Sequence, residues 1–377
     1  MSRFVVSAGP VTALLSAALF GLSTPLAKLM IGNVDPWLLA AILYLGSGIG
    51  LSVFYAMSQW RFRSLSAGGA QTDTAAAAVV PMREAPLRLT DLPWLLAVIA
   101  SGGIAAPVLL MLGLNITPAS SAALLLNLES VFTMLLAWLV FHEGVDRRLM
   151  MGAAALVAGA VLLAMPAEGG AAIFRTSLTG FCLIAGACLC WAVDNNFTRK
   201  LSAADPVQIA AAKGLVAGSV NLVLALAQHA RLPDLTTVVT IGVIGLFCYG
   251  ISLVLFVQAL RQLGAARTGA YFAIAPFIGA SCAFLLLGEP LTVLFMAAAV
   301  LMAIGLYLHL TEAHEHEHHH AVLRHDHRHR HDSHHQHPHQ AGDPAVDAKG
   351  MHRHPHRHEA LTHRHRHFPD IHHQHTH

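Results

Sequence analysis

The fold class this sequence predicts is an all-α integral membrane protein, with ten transmembrane helices arranged as two inverted five-helix repeats and a disordered tail. Three observations predict it. The 377 residues are 55% hydrophobic and only 12% charged, whereas an ordinary soluble domain carries about 25% charged residues. Apolar stretches of about 20 residues, enough to cross the hydrocarbon core, recur along the chain. Beyond them, from His314 onward, lie 24 of the 27 histidines, in a low-complexity run with no apolar face.

The spans fall at 9–31, 36–57, 92–114, 119–141, 149–167, 178–199, 207–229, 236–260, 266–287 and 291–311, separated by short connections with Pro, Gly or charge. Only 58–91 is long, and its Arg/Ser/Gly/Ala/Thr composition reads as a loop. The first span follows Arg3 without a clear cleavage site, so it reads as a retained membrane helix, not a signal peptide. Orientation follows from the positive-inside rule. With the N-terminus inside, the cytoplasmic connections hold Arg3, Arg61, Arg63, Arg83, Arg88, Arg147, Arg148, Arg199, Lys200, Arg261 and Arg267, against Arg175 and Arg231 outside. Both termini are then expected in the cytoplasm. Cys182, Cys188, Cys190, Cys248 and Cys282 all lie inside apolar spans, where they read as small hydrophobes and not as a disulfide framework. The formal charge of +2 comes from scattered basic residues and gives no nucleic-acid signature.

LNITPASSAALLLNLESVFTMLLAWLVFHEGV (114–145) aligns with LRQLGAARTGAYFAIAPFIGASCAFLLLGEPL (260–291) at a constant offset of 146 residues, pairing Glu143 with Glu289. A weaker match sets FGLSTPLAKL (20–29) against AVDNNFTRKL (192–201). Five spans per half invert the second copy relative to the first, the layout of carriers that bind substrate near the midplane. These residues, and above all AYFAIAPFIGASCAFLLLGEPLT, resemble the EamA-type transporters of the drug/metabolite transporter superfamily over about residues 10–311. The first half departs from the pattern, with Ser130 in the place of Pro276 and His142-Glu143-Gly144 in the place of Gly288-Glu289-Pro290. The resemblance implies a ten-helix inner-membrane carrier that exports small metabolites, amino acids or drugs. The expected division is a first repeat at 1–167, a second at 168–311 and the tail at 312–377.

Ionisable groups inside a bilayer cost at least about 2.5–3.5 kcal/mol on insertion scales, so each demands a reason. Glu129 sits halfway along the fourth span, where it can carry a proton or serve as a hydrogen-bonding partner for another helix. Asp194-Asn195-Asn196 interrupts the sixth span; side chains about 100° apart cannot share one cavity, so at least one should reach another helix. Its alternative is a helix that ends early and leaves Asp194 at the interface. Lys28 and Lys213 lie close enough to span ends to snorkel, or can pair with a carboxylate or an anionic substrate. Trp191 and Tyr271 are candidates for lining the pathway, with packing or interfacial roles as the alternative. Pro25, Pro107 and Pro276 remove backbone hydrogen bonds within spans and suit broken helices. Glu143 and Glu289 end their spans and read as local caps.

No phosphate-cradling loop, HExxH or nucleophile elbow is present, so no enzyme chemistry is expected and transport needs no cofactor. The tail offers degenerate H-x-H chelating sets at His314, His316, His318, His319, His320, His325, His327, His329, His331, His334, His335, His337, His339, His352, His354, His356 and His358. Neutral imidazole suits Zn, Ni and Co. The alternatives are a pH-responsive polyelectrolyte or a functionless extension. The expected function is a secondary carrier exporting a small organic solute on a proton or substrate gradient, with the lipid bilayer and divalent ions as further partners and room for a homodimer. The alternative is a Ni/Co/Zn transporter whose tail collects the metal.

Overall fold

A computed structural model describes residues 8–68, 91–141, 147–165, 171–201, 205–263, 265–310 and four tail segments within 314–367. Nine of the described helices are long and apolar enough to cross a membrane, and Val293–His309 is a shorter tenth. In order they are Gly9–Met30, Pro36–Met57, Leu92–Ile116, Ala119–Val140, Arg147–Ala164, Ile173–Thr198, Val207–Ala227, Leu235–Ala259, Thr268–Leu287 and Val293–His309, the first to tenth spans. Each lies within a few residues of its expected position. The chain is an all-α, multi-pass membrane protein. The face on which the first span begins is called proximal below, and the opposite face distal.

One boundary differs from expectation. The second helix continues to Gly68, so 58–68 is helix and not loop. Gln59-Trp60-Arg61-Phe62-Arg63 contains no breaker, and helix hydrogen bonds persist beyond the apolar segment.

Small residues set the helix pairs. Lipid gives no hydrophobic gain for helix association, so close backbone approach must supply it. The second and seventh spans meet at Gly48 and Gly214, where a Cβ on Gly214 would lie 2.6 Å from the Gly48 nitrogen. The fifth and tenth meet at Gly152 and Gly305, where a Cβ on Gly305 would lie 2.7 Å from the Gly152 carbonyl oxygen. The first span packs on the eighth and ninth, and the sixth on the third and fourth.

Among the described residues, four spans depart from regular helix. The third contains a π-helical stretch at Ile99–Ala105 and the eighth another at Leu246–Ile251. The fourth breaks at Leu126-Asn127 and the ninth at Ala273-Ile274. Pro107 and Pro276 lie at the start of the helix that follows such an irregularity. Pro25 does not: Ala8–Met30 is one continuous helix, which corrects its reading as a break. The Gly21 carbonyl that Pro25 frees faces the ninth span, where a Cβ on Gly279 would lie 2.7 Å from it. Packing by a neighbouring helix thus accommodates the proline without a break.

The tail was expected to lack order, yet its described backbone forms two antiparallel pairs. β1 (His314–His320) pairs with β4 (Leu361–His367), and β2 (Leu323–Arg330) with β3 (Met351–His358). His alternates with Arg, Asp or Glu over much of these strands, a period of two, the strand pattern, although His318-His319-His320 interrupts it. Low apolar content argued for disorder, but the pairing rests on backbone bonds and register. His331, His334, His335, His337 and His339 lie outside the described residues.

Candidate transport site

The third span opens the site by exposing backbone. In the π-helical stretch the Ala106 N–H bonds back to the Ser101 carbonyl, five residues away. Pro107 has no N–H to offer. The Gly102 and Gly103 carbonyls therefore lose their helical donors, and a buried carbonyl must find others. Gly102 accepts from the Tyr44 hydroxyl at 2.9 Å and from Trp191 Nε1 at 3.1 Å. Gly103 accepts from Asn221 Nδ2 at 3.3 Å. Three spans are thereby fastened to one irregular turn.

Asp194 lies against that turn. Its carboxylate occupies the space a side chain at position 102 would need, so only glycine fits there. The helix continues to Leu201, which removes the possibility that Asp194 marks an early helix end. Asp194 is buried, with 4% of its surface exposed, and forms a salt bridge with Lys213 of the seventh span. Thr198 Oγ1 donates to its other carboxylate oxygen at 3.0 Å. Lys213 thus pairs with this carboxylate instead of snorkelling to the interface near its span's start.

Glu129 belongs to a second pair on the neighbouring span. Asn127 Nδ2 donates to the Leu124 carbonyl at 2.9 Å and Ser130 Oγ to the Asn127 carbonyl at 2.7 Å. Such local side-chain bonds compete with the helical ladder, and the backbone tightens to i→i−3 bonds through the break. A new helix starts at Leu128, with Glu129 in its first turn. The positive end of that helix favours a carboxylate there. Asn195 Nδ2 donates to Glu129 Oε1 at 2.6 Å. Glu129 and Lys213 are half-buried, Asn195 is exposed, and Asp194 is the buried member of these four. Asn196 turns towards the fourth span, with Nδ2 3.5 Å from the Thr133 carbonyl and bonded at 2.8 Å to the Ala192 carbonyl of its own helix. Its buried Oδ1 and that of Asn221 have no protein partner among the described residues.

An aromatic cluster adjoins Trp191. Phe20 packs edge-on against Trp191 (6.5 Å between centroids) and Tyr249 (6.2 Å), and Tyr249 lies 5.6 Å from Tyr44. Phe272 joins through Phe20 at 5.3 Å. Tyr271, its neighbour in sequence, is half-buried and is not part of this cluster.

Lys28 is not a snorkelling residue either. It donates to the Leu114 carbonyl, to Thr117 at 2.9 Å and to Asn115 at 3.4 Å. Glu289 accepts from the Ala119 and Ser120 N–H groups at 2.6 and 2.9 Å. It caps a helix as expected, but one 170 residues away. Glu143 lies outside the described residues. A cavity of about 500 Å³ near Glu289 is lined by Thr117, Ser120, Leu125 and Phe181, apart from the Asp194 pair.

Sequence reasoning placed Glu129, Asp194, Asn195, Asn196, Lys213 and Trp191, which the fold brings together; Lys28 sits at the distal face. It missed Tyr44, Gly102, Thr198 and Asn221. The Gly102-Gly103 pair ahead of Pro107 was the available signal, marking carbonyls that need outside donors.

Comparison with known proteins decides the family. The EamA-like transporter family matches residues 7–165 and 178–311. This chain belongs to that family. EamA-like proteins are secondary transporters of small molecules, not enzymes. An "Uncharacterized transporter" of Methanothermobacter thermautotrophicus is 28% identical over 303 residues, 80% of this chain and 85% of that protein. A "Probable amino-acid metabolite efflux pump" of Salmonella typhimurium is 28% identical over 206 residues, 51% of this chain and 67% of its own length. A similarly named Escherichia coli protein is 25% identical over 208 residues, covering 51% and 67%. A solved structure at 18% identity, covering 81% of this chain and 96% of its own, superposes with a TM-score of 0.54 and so shares the fold.

Proposed function

We propose that this EamA-like transporter exports small organic metabolites with amino-acid-like charge, at a site formed by Asp194, Lys213 and Glu129, in exchange for protons. The observation that carries this reading is the buried Asp194–Lys213 pair next to the Glu129–Asn195 pair. Buried charges demand partners. A zwitterion entering here would offer its ammonium to Asp194 and its carboxylate to Lys213, so neither protein charge is left alone. Glu129, with one neutral amide partner, is the group free to take and give a proton. The names of the Salmonella and Escherichia relatives support the same substrate class.

The Lys/Arg bias supports a topology with the proximal face and both termini in the cytoplasm, and outward direction draws its support from the efflux-pump names of the Salmonella and Escherichia relatives. The reading of two repeats, 1–167 and 168–311, draws support from where the irregularities fall. The π-helical stretches and the breaks recur at offsets of 146–147 residues, near the offset of the sequence match. The Gly48–Gly214 and Gly152–Gly305 contacts join spans five apart.

For the tail we propose accessory binding of Zn, Ni or Co. Register sets His325 opposite His356, His327 opposite His354 and His329 opposite His352, with His316 opposite His365 in the other pair. Metal as cargo gains no support from the body: among the described residues no three His, Cys, Asp or Glu side chains gather.

The test is flux in proteoliposomes. The full chain and a version ending at Thr311 are reconstituted and assayed with a neutral amino-acid panel under a pH gradient, and with Ni, Co and Zn. Proton-driven amino-acid flux by both, with metal binding lost on truncation, is the expected result. Movement of metals alone would overturn the reading.

A further inference from the structure

The link between the third and fourth spans is two residues, Thr117-Pro118, and charged side chains from other spans hold both of its flanks. Lys28 bonds the carbonyls of Leu114, Asn115 and Thr117, which end the third-span helix. Glu289 accepts the first two N–H groups of the fourth, from Ala119 and Ser120. Helix ends carry unpaired carbonyls at one terminus and unpaired N–H groups at the other, with matching partial charges. Each side chain therefore supplies the sign that its helix end requires.

The G-E-P sequence explains how Glu289 reaches this position. Gly288 terminates the ninth-span helix with φ +65°, a left-handed conformation that glycine adopts without a Cβ penalty. Its N–H closes on the Phe284 carbonyl at 3.1 Å. Pro290 cannot continue the helix, so the carboxylate stays at this turn.

The bond differs from an ordinary cap in where it runs. It ties the start of the fourth span to the end of the ninth, residues that lie in the two separate segments matched by the family. It also forms one wall of the 500 Å³ cavity, through Thr117, Pro118, Ser120 and Glu289. The cavity extends inward to Leu125, four residues before Glu129. We propose that Lys28 and Glu289 form a latch. Bonded, it holds the 117–118 link against the first and ninth spans and shuts the distal face. Released, it lets the start of the fourth span move away and opens the cavity towards Glu129. The latch requires that these spans move during transport, and not that the cargo is amino-acid-like.

The test therefore reads accessibility, not flux. In the full chain with its five cysteines replaced by alanine, Ser121→Cys places a reporter thiol on the cavity wall. Its labelling by a hydrophilic maleimide is timed in detergent. Glu289→Gln and Lys28→Gln should each speed labelling at least about threefold, whereas Lys28→Arg, which keeps the donors, should stay within about 1.5-fold. Equal rates in all four proteins would overturn the latch. Should Glu289→Gln fail to give a monodisperse protein, Lys28→Gln carries the test against Lys28→Arg, and equal labelling rates in these two would overturn the proposal.

Discussion

Lys213 and Lys28 stand in similar apolar spans, yet the fold partners them in opposite ways. Lys213 meets a single buried carboxylate, Asp194, beside the irregular turn of the third span. Lys28 meets three backbone carbonyls at the end of a helix. A side-chain pair can be exchanged for a substrate's charges without unmaking any helix. A backbone-capping charge has no substrate charge to replace it, so releasing it leaves helix ends unpaired until the cap closes again. The charge we propose to be exchangeable thus lies beside the irregular turn of the third span, and the charge that fixes helix ends lies at the distal face.

The sharpest way to break this contrast is at Asp194. Asp194→Asn leaves the Lys213 ammonium uncompensated, and removing one partner of a buried pair costs about 3–5 kcal/mol. Thermal unfolding in detergent should fall markedly, and flux should drop at least about 100-fold. Adding Lys213→Met should restore stability and leave flux absent. If the double variant transports, the pair is structural only.

A smaller effect is expected at Gly102. Gly102→Ala introduces a Cβ into the space of the Asp194 carboxylate and must displace the pair. A loss of about tenfold in kcat/KM corresponds to about 1.4 kcal/mol, and kinetics in proteoliposomes would measure it. Smaller still is Tyr44→Phe, which removes one of two donors to the Gly102 carbonyl while Trp191 keeps the other. A lost hydrogen bond of this kind is worth about 1 kcal/mol, to be read as a modest fall in melting temperature with flux reduced less than in Gly102→Ala.

Much of this was legible in the chain. Apolar length located the spans, because a bilayer imposes one length on every helix. Glu129, Asp194 and Lys213 announced themselves through the cost of charge in apolar surroundings. Their partnership did not, since the sixth and seventh spans present many residues and sequence spacing does not say which face which. Lys28 and Glu289 show the same limit. A lysine near a span end looks free to snorkel until the neighbouring helix end is in place. Pro25 shows the converse, a breaker tolerated because the ninth span covers the carbonyl it frees. In the tail, composition argued for disorder while the period-two alternation of the same residues argued for strands.

Proton coupling through Glu129 is the claim on which the account turns, and one comparison tests it most directly. Wild type and Glu129→Gln are reconstituted, and the uptake of a transported amino acid is followed in two modes, driven by a pH gradient and by counterflow at equal pH. Loss of gradient-driven uptake with counterflow retained is the predicted result. Gradient-driven uptake equal to wild type in Glu129→Gln would contradict it.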